Sequence, residues 1–298
     1  MSRSLSLDEF LAQRAKDRRL ARLTHDVVLP VATGLEFGAA ENPVALPDGI
    51  TVEYVDYAKD ACSDRPGAVA VDYAWTGSGS LQAVVGRSGY DFAIAAQVAQ
   101  YVPNLLGWFR GIYEVLRPGG VLNLSLPDRR FMFDLKRHPS TLGEGVEALL
   151  LDLDRPSPRQ IFDHTYGTVA LDPTRVWRED TDPAALPPLS GGHALALAHK
   201  HARETFSAEG RYVTCHCWVF TPFSFLDLIE GASRLGLFPF VVSQFSATEP
   251  GSFEFYVCVR RDAEEDPEAL LRMQLGAIAY VRDIARQHQR VARRLASD

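Results

Sequence analysis

The sequence predicts an α/β fold built around a mostly parallel sheet that finishes in an antiparallel strand pair. From residue 31 to 127, short apolar runs bounded by turn residues alternate with a segment of helical periodicity. This is the strand–helix–strand rhythm of a parallel sheet with right-handed crossovers. Near the C-terminus, "FVVSQF" and "FEFYVCVRR" are joined by the short, turn-rich "SATEPGS". That connection predicts a hairpin, and therefore an antiparallel pair of strands.

Composition narrows the class of protein. The chain has 298 residues, of which 46% are hydrophobic and 23% charged, with a net charge of −7. A negative balance argues against nucleic acid or an anionic membrane as a general partner. The four cysteines are too few and too scattered for a disulfide scaffold, and no apolar window has the length of a membrane span. We therefore expect a cytoplasmic protein without membrane insertion.

The first 127 residues carry the elements of one half of the sheet. Ser6 and Glu9 have capping-box spacing, and apolar residues follow at helical intervals, which predicts a helix over 7–24. Four apolar runs predict strands: "TGLEF" (33–37), "TVEYVD" (51–56), "AVAVDY" (68–73) and "YDFAIAAQ" (90–97). "NLLGWFRGIYEVL" is a helix with one apolar face, and "RPGG" stops it because proline cannot continue a helix. "VLNLSLP" predicts the next strand.

The pattern breaks after residue 127. Prolines and an irregular apolar pattern extend to about 215, a stretch too long for a plain loop, so we expect a folded insertion or cap. Thr221 then caps a helix that ends at Gly236, and the hairpin and a long terminal helix over 265–296 follow. The predicted units are an N-terminal helix (1–30), the first half of the sheet domain (31–127), the cap (128–215), the rest of the sheet (216–262) and a C-terminal helix (263–298).

Several motifs carry a family resemblance. "GLEFGAAENP", "VEYVDY" and "YDFAIAAQVAQYVPNLLGWFRGIYEVLRPGGVLNLSLPDRRF" resemble, in order and spacing, the class I S-adenosylmethionine-dependent methyltransferases. That family has a Rossmann-like sheet with an antiparallel final strand. The NAD-type fold usually has a parallel last strand and a G-x-G-x-x-G turn, and this chain has neither. The resemblance implies S-adenosylmethionine as cofactor and 31–127 as the half that binds it.

A narrower resemblance concerns "LEFGAAENP", "YVDY", "PDRRFMFD" and "CHCWVFTP". Together these are similar to a bacterial methyltransferase group found near glycosyltransferases in surface-polysaccharide gene sets. This resemblance implies O-methylation of a sugar or surface-glycan precursor. The expected partner is accordingly a small-molecule or glycan acceptor.

The resemblance also implies roles for residues at the carboxyl ends of the strands, where open α/β sheets bind ligands. Gly38 allows close backbone approach, Glu36 holds the cofactor's ammonium group, and Asp56 accepts hydrogen bonds from the ribose hydroxyls. Asp72 or Tyr73 lies near the adenine, and Gln97 faces the methionine portion. The full predicted cofactor set is Glu36, Phe37, Gly38, Ala39, Asp56, Tyr57, Asp72, Tyr73 and Gln97.

The chain departs from the family pattern in two places. Ala39 and Ala40 follow Gly38 where glycines are common, and the prolines at 43 and 47 leave little room for a helix after the first strand. Gln100-Tyr101 replaces a Glu-His pair that many relatives carry. Two alternatives therefore stay open: a non-catalytic member that acts as an interaction or regulatory module, and a reductase-type dinucleotide enzyme. The antiparallel hairpin argues against the second.

Methyl transfer to oxygen usually needs a general base. His216 is the first candidate, with a structural histidine as its alternative, and His164 in the cap is the second. If "RYVTCHCWVF" is a strand, Cys215 and Cys217 share one face and His216 the other, so we expect no metal site.

The segment "PDRRFMFD" follows the fifth strand, and its side chains should enter the mouth of the pocket. Arg129 and Arg130 would hold the acceptor, with Asp134 accepting from its hydroxyls. The alternative for Arg130 and Asp134 is a local ion pair. The residues leave the acceptor's identity open, and also whether the terminal helix packs on its own chain or forms a homo-oligomer.

Overall fold

A seven-stranded sheet in the order β3-β2-β1-β4-β5-β7-β6 organises the chain. The computed structural model describes residues 5–177, 181–207 and 212–295. Strand β7 is antiparallel to both β5 and β6, and the other neighbouring pairs are parallel. The predicted α/β fold class, a mostly parallel sheet with an antiparallel C-terminal hairpin strand, is confirmed. The strands are β1 (Ala32–Phe37), β2 (Ile50–Asp56), β3 (Tyr73–Ala74), β4 (Tyr90–Ala96), β5 (Leu116–Pro127), β6 (Val241–Ser246) and β7 (Glu254–Arg260).

Ten α-helices surround the sheet in the described part of the chain. They are α1 (Leu7–Lys16), α2 (Arg18–Leu23), α3 (Leu81–Val85), α4 (Leu105–Val115), α5 (Leu142–Leu150), α6 (Pro158–Gly167), α7 (Pro173–Val176), α8 (Ala194–Phe206), α9 (Pro222–Arg234) and α10 (Pro267–Leu295). Helices α5 to α8 lie within the predicted cap, between β5 and α9. No helix in the described ranges is both long and apolar enough to cross a membrane.

The two faces of the sheet are covered differently. On one face, β1, β4 and β5 pack against α4 and α9 in a large apolar core. On the other face, Leu23 and Val27, at and after the end of α2, pack against Phe92 and Ile94 of β4. Residues 38–49, all described, contain no helix, which confirms the prediction of a short or absent helix after the first strand. Helix α2 and the residues after it thus cover this second face of the sheet, where no helix follows β1.

Some predicted boundaries are wrong. The helix predicted over 7–24 is interrupted at Asp17, which adopts an extended conformation and caps α2 by accepting from the Leu20 N–H. The third strand is Tyr73–Ala74 rather than 68–73, since only these two residues pair with β2. "RPGG" does follow the end of α4, but it lies within the bounds of β5, where the register with β4 shifts. The predicted last residue of the terminal helix, 296, lies outside the described residues.

Candidate functional site

A cleft opens at the carboxyl edge of the sheet, between the ends of β1, β2 and β4. We call it the edge cleft. Its cavity volume is about 60 Å³. The lining is mainly apolar and aromatic, which suits a flat heterocycle. It consists of Phe37, Gly38, Val55, Asp56, Tyr57, Trp75, Thr76, Val98, Tyr101, Val102, Pro103, Trp108, Tyr212 and Thr214.

Gly38 turns the chain at the end of β1. Its φ is +60°, a conformation that L side chains rarely adopt. A Cβ added there would lie 2.7 Å from Cγ2 of Val98, so the site is also sterically closed to larger residues. Ala39 is buried, and Ala40 also has a positive φ of 46°. The loop after β1 therefore makes a tight turn at Gly38 although Ala39 and Ala40 follow it.

Glu36 is buried at the end of β1, on the opposite side of the strand from Leu35 and Phe37. Its Oε1 accepts from the backbone N–H of Val44 at 2.9 Å, and its Oε2 has no hydrogen-bond partner among the described residues. Burial raises the pKa of this carboxyl group to about 8. An unpartnered buried carboxyl is costly, and it leaves a free acceptor for a cationic group.

Asp56 ends β2 and lines the edge cleft, and its role as a ribose-binding carboxylate stays a prediction. Burial raises its pKa, and its Oδ1 accepts from the Tyr57 N–H at 2.7 Å. The Tyr57 ring stacks on Tyr212 from the cap, with centroids 4.7 Å apart and planes 11° from parallel. This aromatic pair forms one wall of the edge cleft and narrows it.

The residues predicted to lie near adenine do not line the edge cleft. Asp72 is exposed, and its Oδ2 accepts from the Tyr54 N–H at 2.8 Å across the sheet edge. Because β3 ends only at Ala74, the next residues, Trp75 and Thr76, line the cleft instead. The turn-rich "WTGSGS" that follows is the sequence signal that would have placed the strand end correctly. The roles of Asp72 and Tyr73 stay predictions.

Gln97 follows β4 with a φ of 61°, an uncommon value for a residue with a side chain. Its backbone N–H donates to the Ser125 carbonyl at 3.1 Å, which fixes this conformation. Its side-chain amide donates to Glu254 Oε2 at 2.9 Å. Glu254 also pairs with Arg19 of α2 at 3.2 Å. Gln97 does not line the edge cleft, and its role towards the methionine portion stays a prediction.

The two predicted bases lie side by side next to the edge cleft. His216 Nδ1 is 2.6 Å from Asp134 Oδ2, and the His216 backbone N–H donates to His164 Nδ1 at 3.3 Å. The edge of the Tyr101 ring meets the His216 ring at a centroid distance of 4.6 Å. Since Tyr101 also lines the edge cleft, one aromatic ring separates the cleft from the histidine pair.

Charge and burial set the protonation of this pair. Burial alone would raise the pKa of Asp134, but the hydrogen bond from His216 and the charges of His216 and Arg137 outweigh it and lower that pKa. Burial, helped by the Arg137 charge, lowers the pKa of His164 to about 4, so His164 is neutral at pH 7. Asp134 thus stays ionised and can fix the tautomer of His216.

The predicted acceptor-binding arginines are only partly free. Arg130 pairs with Asp128 at 2.6 Å, so the alternative of an Arg130–Asp134 ion pair is wrong. Arg129 donates through Nη2 to the Leu135 carbonyl, while its buried Nε has no partner among the described residues. Asp134 is engaged by His216 and Arg137 instead of facing open solvent. Arg137 is the residue that sequence reasoning missed, and nothing in its local sequence distinguishes it.

The cysteines beside His216 face each other. Their sulfur atoms, in Cys215 and Cys217, are 3.9 Å apart, and His216 points away from them towards Asp134. Within the described ranges, no three His, Cys, Asp or Glu side chains are grouped as a metal centre would need.

Comparison with known proteins gives remote likenesses. No protein-family model matches the chain, and no curated protein matches it. Among solved structures, an S-adenosylmethionine-dependent methyltransferase from Mesorhizobium loti is 15% identical, with 82% of this chain and 96% of that chain covered and a TM-score of 0.41. The CcbJ methyltransferase from Streptomyces caelestis is 16% identical, with 82% and 94% covered and a TM-score of 0.41.

A protein from Rhodobacter sphaeroides assigned as a Zn-dependent alcohol dehydrogenase is 14% identical, with 83% and 90% covered and a TM-score of 0.43. Likenesses this remote carry no information on the activity of this chain.

Proposed function

We propose that this protein is an S-adenosylmethionine-dependent methyltransferase that methylates a hydroxyl group of a sugar or surface-glycan precursor. The observation that carries the proposal is the proximity of two features. The edge cleft lies at the strand ends where this fold class binds ligands, and the His216–Asp134 pair lies directly behind its Tyr101 wall. A binding cleft and a base held by a carboxylate are what hydroxyl methylation requires.

The chemistry of the lining fits the cofactor. The aromatic walls suit adenine, Asp56 suits the ribose hydroxyls, and Gly38 permits close backbone approach. Glu36 precedes the lining residue Phe37 and does not itself line the edge cleft; its free Oε2 suits the ammonium group. A volume of about 60 Å³ is smaller than an adenosine-sized ligand needs, so binding requires Tyr57 and Tyr212 to move apart.

When bound, the cofactor supplies an activated methyl group on a sulfonium. The chain's part is to remove a proton from the acceptor. With Asp134 accepting from Nδ1–H, His216 has Nε2 free to take that proton. The buried, ionised Asp134 then stabilises the imidazolium that forms, while neutral His164 adds no second positive charge beside it.

The test is calorimetric titration with S-adenosylmethionine and S-adenosylhomocysteine. We expect the wild type to bind with micromolar affinity. Asp56→Ala should lose this binding because it removes a carboxylate from the edge cleft, and Gly38→Val should lose it because the added side chain does not fit at the turn. Asp48→Ala is the matched control, since Asp48 is exposed just before the start of β2 and does not line the cleft. Wild-type protein that binds neither compound would contradict the proposed function.

One observation favours a second candidate, a non-catalytic member of the fold. The stacked pair Tyr57–Tyr212 fills the space beside Asp56, where a nucleoside would lie. Tyr212→Ala separates the two candidates, because it removes one ring of the pair. If neither the wild type nor this variant binds the cofactor, an interaction or regulatory module becomes the better description.

A further inference from the structure

The cap encloses a second cavity of about 540 Å³, which we call the cap cavity. It lies between residues 136–141, the first turn of α5 and the C-terminal half of α6. Its volume is within the range of small-molecule sites, and it is large enough for a monosaccharide. The cap cavity and the edge cleft share no lining residue, but they are neighbours, because the Cys217 thiol of the cap cavity donates to the carbonyl of Tyr101, which lines the edge cleft, at 3.4 Å.

Arg137 is the residue that gives the cap cavity its chemistry. Its side chain is only 7% exposed, and its Nη1 donates to Asp134 Oδ1 at 2.8 Å and to the His216 carbonyl at 2.9 Å. Its Nε and Nη2 have no acceptor among the residues that the structure describes. The three N–H bonds that Nε and Nη2 carry in this buried guanidinium at a cavity wall can bind an oxyanion in bidentate fashion.

The backbone makes room for this side chain. Gly167, the last residue of α6, also lines the cap cavity. A Cβ added there would lie 2.7 Å from Cγ of Arg137. Glycine at the end of α6 therefore allows the arginine to pass the helix and reach the cavity wall.

The lining of the cap cavity carries charges of both signs. Lys136 precedes Arg137 and is held in place by donating to the Leu186 carbonyl at 2.8 Å. Arg159, also in the lining, holds two carboxylates, Glu144 at 2.7 Å and Asp163 at 3.3 Å.

These held carboxylates keep acceptor sites for hydroxyl groups. The exposed ring of Tyr166 beside them offers a face for a sugar ring. An uncharged sugar would leave the free N–H groups of Arg137 unpaired, and a bare anion would leave Glu144 and Asp163 without a ligand.

We propose that the cap cavity binds a sugar that carries an oxyanion, a carboxylate or a phosphate, with the anion on Arg137 and hydroxyl groups on Glu144 and Asp163. This inference rests on the proposed function, for which it names the acceptor class. Arg137 contacts both Asp134 and the His216 backbone, so the anion is held next to the proposed base.

The experiment uses full-length protein and calorimetric titration with D-glucuronate, D-glucose 6-phosphate, D-glucose and inorganic phosphate. We expect one of the two anionic sugars to bind at least about tenfold more tightly than glucose and than phosphate, and their ranking distinguishes a carboxylate from a phosphate ligand. Arg137→Lys keeps the positive charge next to Asp134 but loses the planar guanidinium that binds an oxyanion through two N–H groups, so it should weaken that binding about tenfold. Arg110→Lys, at an exposed position on α4, is the matched control.

Equal binding of glucose and the anionic sugars, no binding of either anionic sugar, or unchanged binding by Arg137→Lys would overturn the proposal. If Arg137→Lys does not fold, as judged by its melting curve, Lys136→Gln takes its place with the same expected direction. Titration of the same samples with S-adenosylhomocysteine keeps the two proposals apart. Cofactor binding without sugar binding contradicts only the cap cavity, whereas sugar binding without cofactor binding contradicts the methyltransferase.

Discussion

The Nδ1 atom of His216 lies 2.6 Å from Oδ2 of Asp134, and both side chains are buried. Such a short contact in a buried place means that Nδ1 carries the proton, because the Asp134 pKa is lowered and its carboxylate is ionised. The contact joins Asp134, from the predicted cap, to His216, which precedes α9. The contribution of this pair to the stability of the fold can be measured without knowing the acceptor.

We predict that Asp134→Asn lowers the free energy of unfolding by about 3 kcal/mol, because it leaves Arg137 buried beside a neutral group. Urea denaturation at pH 7 measures this change. Asp163→Asn is the matched control. Asp163 also pairs with an arginine but is 45% exposed, so its loss should cost less than about 1 kcal/mol. Equal effects of the two substitutions would show that the Asp134 network is not a buried charge pair.

A second prediction concerns stability at mildly acidic pH. The His164 pKa is lowered from 6.5 to about 4 in the folded chain, so the unfolded chain binds more protons between these values. The stability contribution of neutral His164 is therefore complete above pH 6.5 and is lost as the pH falls towards 4. Between pH 6.5 and 5 the loss should be about 1 to 2 kcal/mol.

Denaturation curves of His164→Gln across this range should show a smaller loss than the wild type. His199→Gln changes an exposed histidine of α8 and should behave like the wild type. If the free energy of unfolding of His164→Gln falls with pH as much as that of the wild type, burial does not lower the His164 pKa as stated.

A third prediction follows from Glu36, whose pKa of about 8 means that it is mostly protonated at pH 7. An ammonium group beside Oε2 would favour the charged form and lower that pKa, so binding should release close to one proton. Calorimetry at pH 7 in two buffers of different ionisation enthalpy measures the release.

Two controls test the origin of the proton. 5′-Methylthioadenosine, which lacks the amino acid, should bind without proton release. Glu36→Gln should bind S-adenosylmethionine more weakly and also release none. Buffer-independent heats for the wild type with S-adenosylmethionine would place the ammonium group elsewhere.

Much of this fold could be predicted because its signals are local. The buried strand β4, the amphipathic helix α4 and the hairpin of β6 and β7 each carry their pattern within a few residues. The third strand was placed wrongly because "AVAVDY" has strand-like composition, whereas pairing with β2 occurs only at Tyr73–Ala74. Pairing depends on contacts with a distant segment, and one sequence does not show them.

In the candidate site, too, the residues marked by local sequence could be predicted, and those that depend on distant contacts could not. Gly38 and Asp56 could be placed in the cleft from their positions at strand ends. His164 and His216 could be named as bases, but their contact joins segments 52 residues apart. Arg137 could not be identified at all, because its role depends on a cavity formed by the fold of the cap.

The last prediction concerns the tight turn at Gly38, where conformation and packing both oppose a side chain. Gly38→Ala should lower the free energy of unfolding for two reasons. Holding a side chain at a left-handed φ costs about 1 kcal/mol, and the clash of the new Cβ with Val98, 2.7 Å away, adds to this cost. Gly67 provides the matched control, because its φ is +85° and no atom lies within 4 Å of its added Cβ. Gly67→Ala should therefore lower the free energy of unfolding only by the backbone strain, without a clash.

In a Val98→Ala background, the cost of Gly38→Ala should fall to that of Gly67→Ala, because the clash is removed and the strained φ remains. Urea denaturation of the four proteins in this double-mutant cycle gives the coupling free energy directly. A Gly38→Ala variant no less stable than Gly67→Ala would mean that Val98 yields at no cost. The altered loop would then tolerate a side chain at the position where cofactor binding needs none.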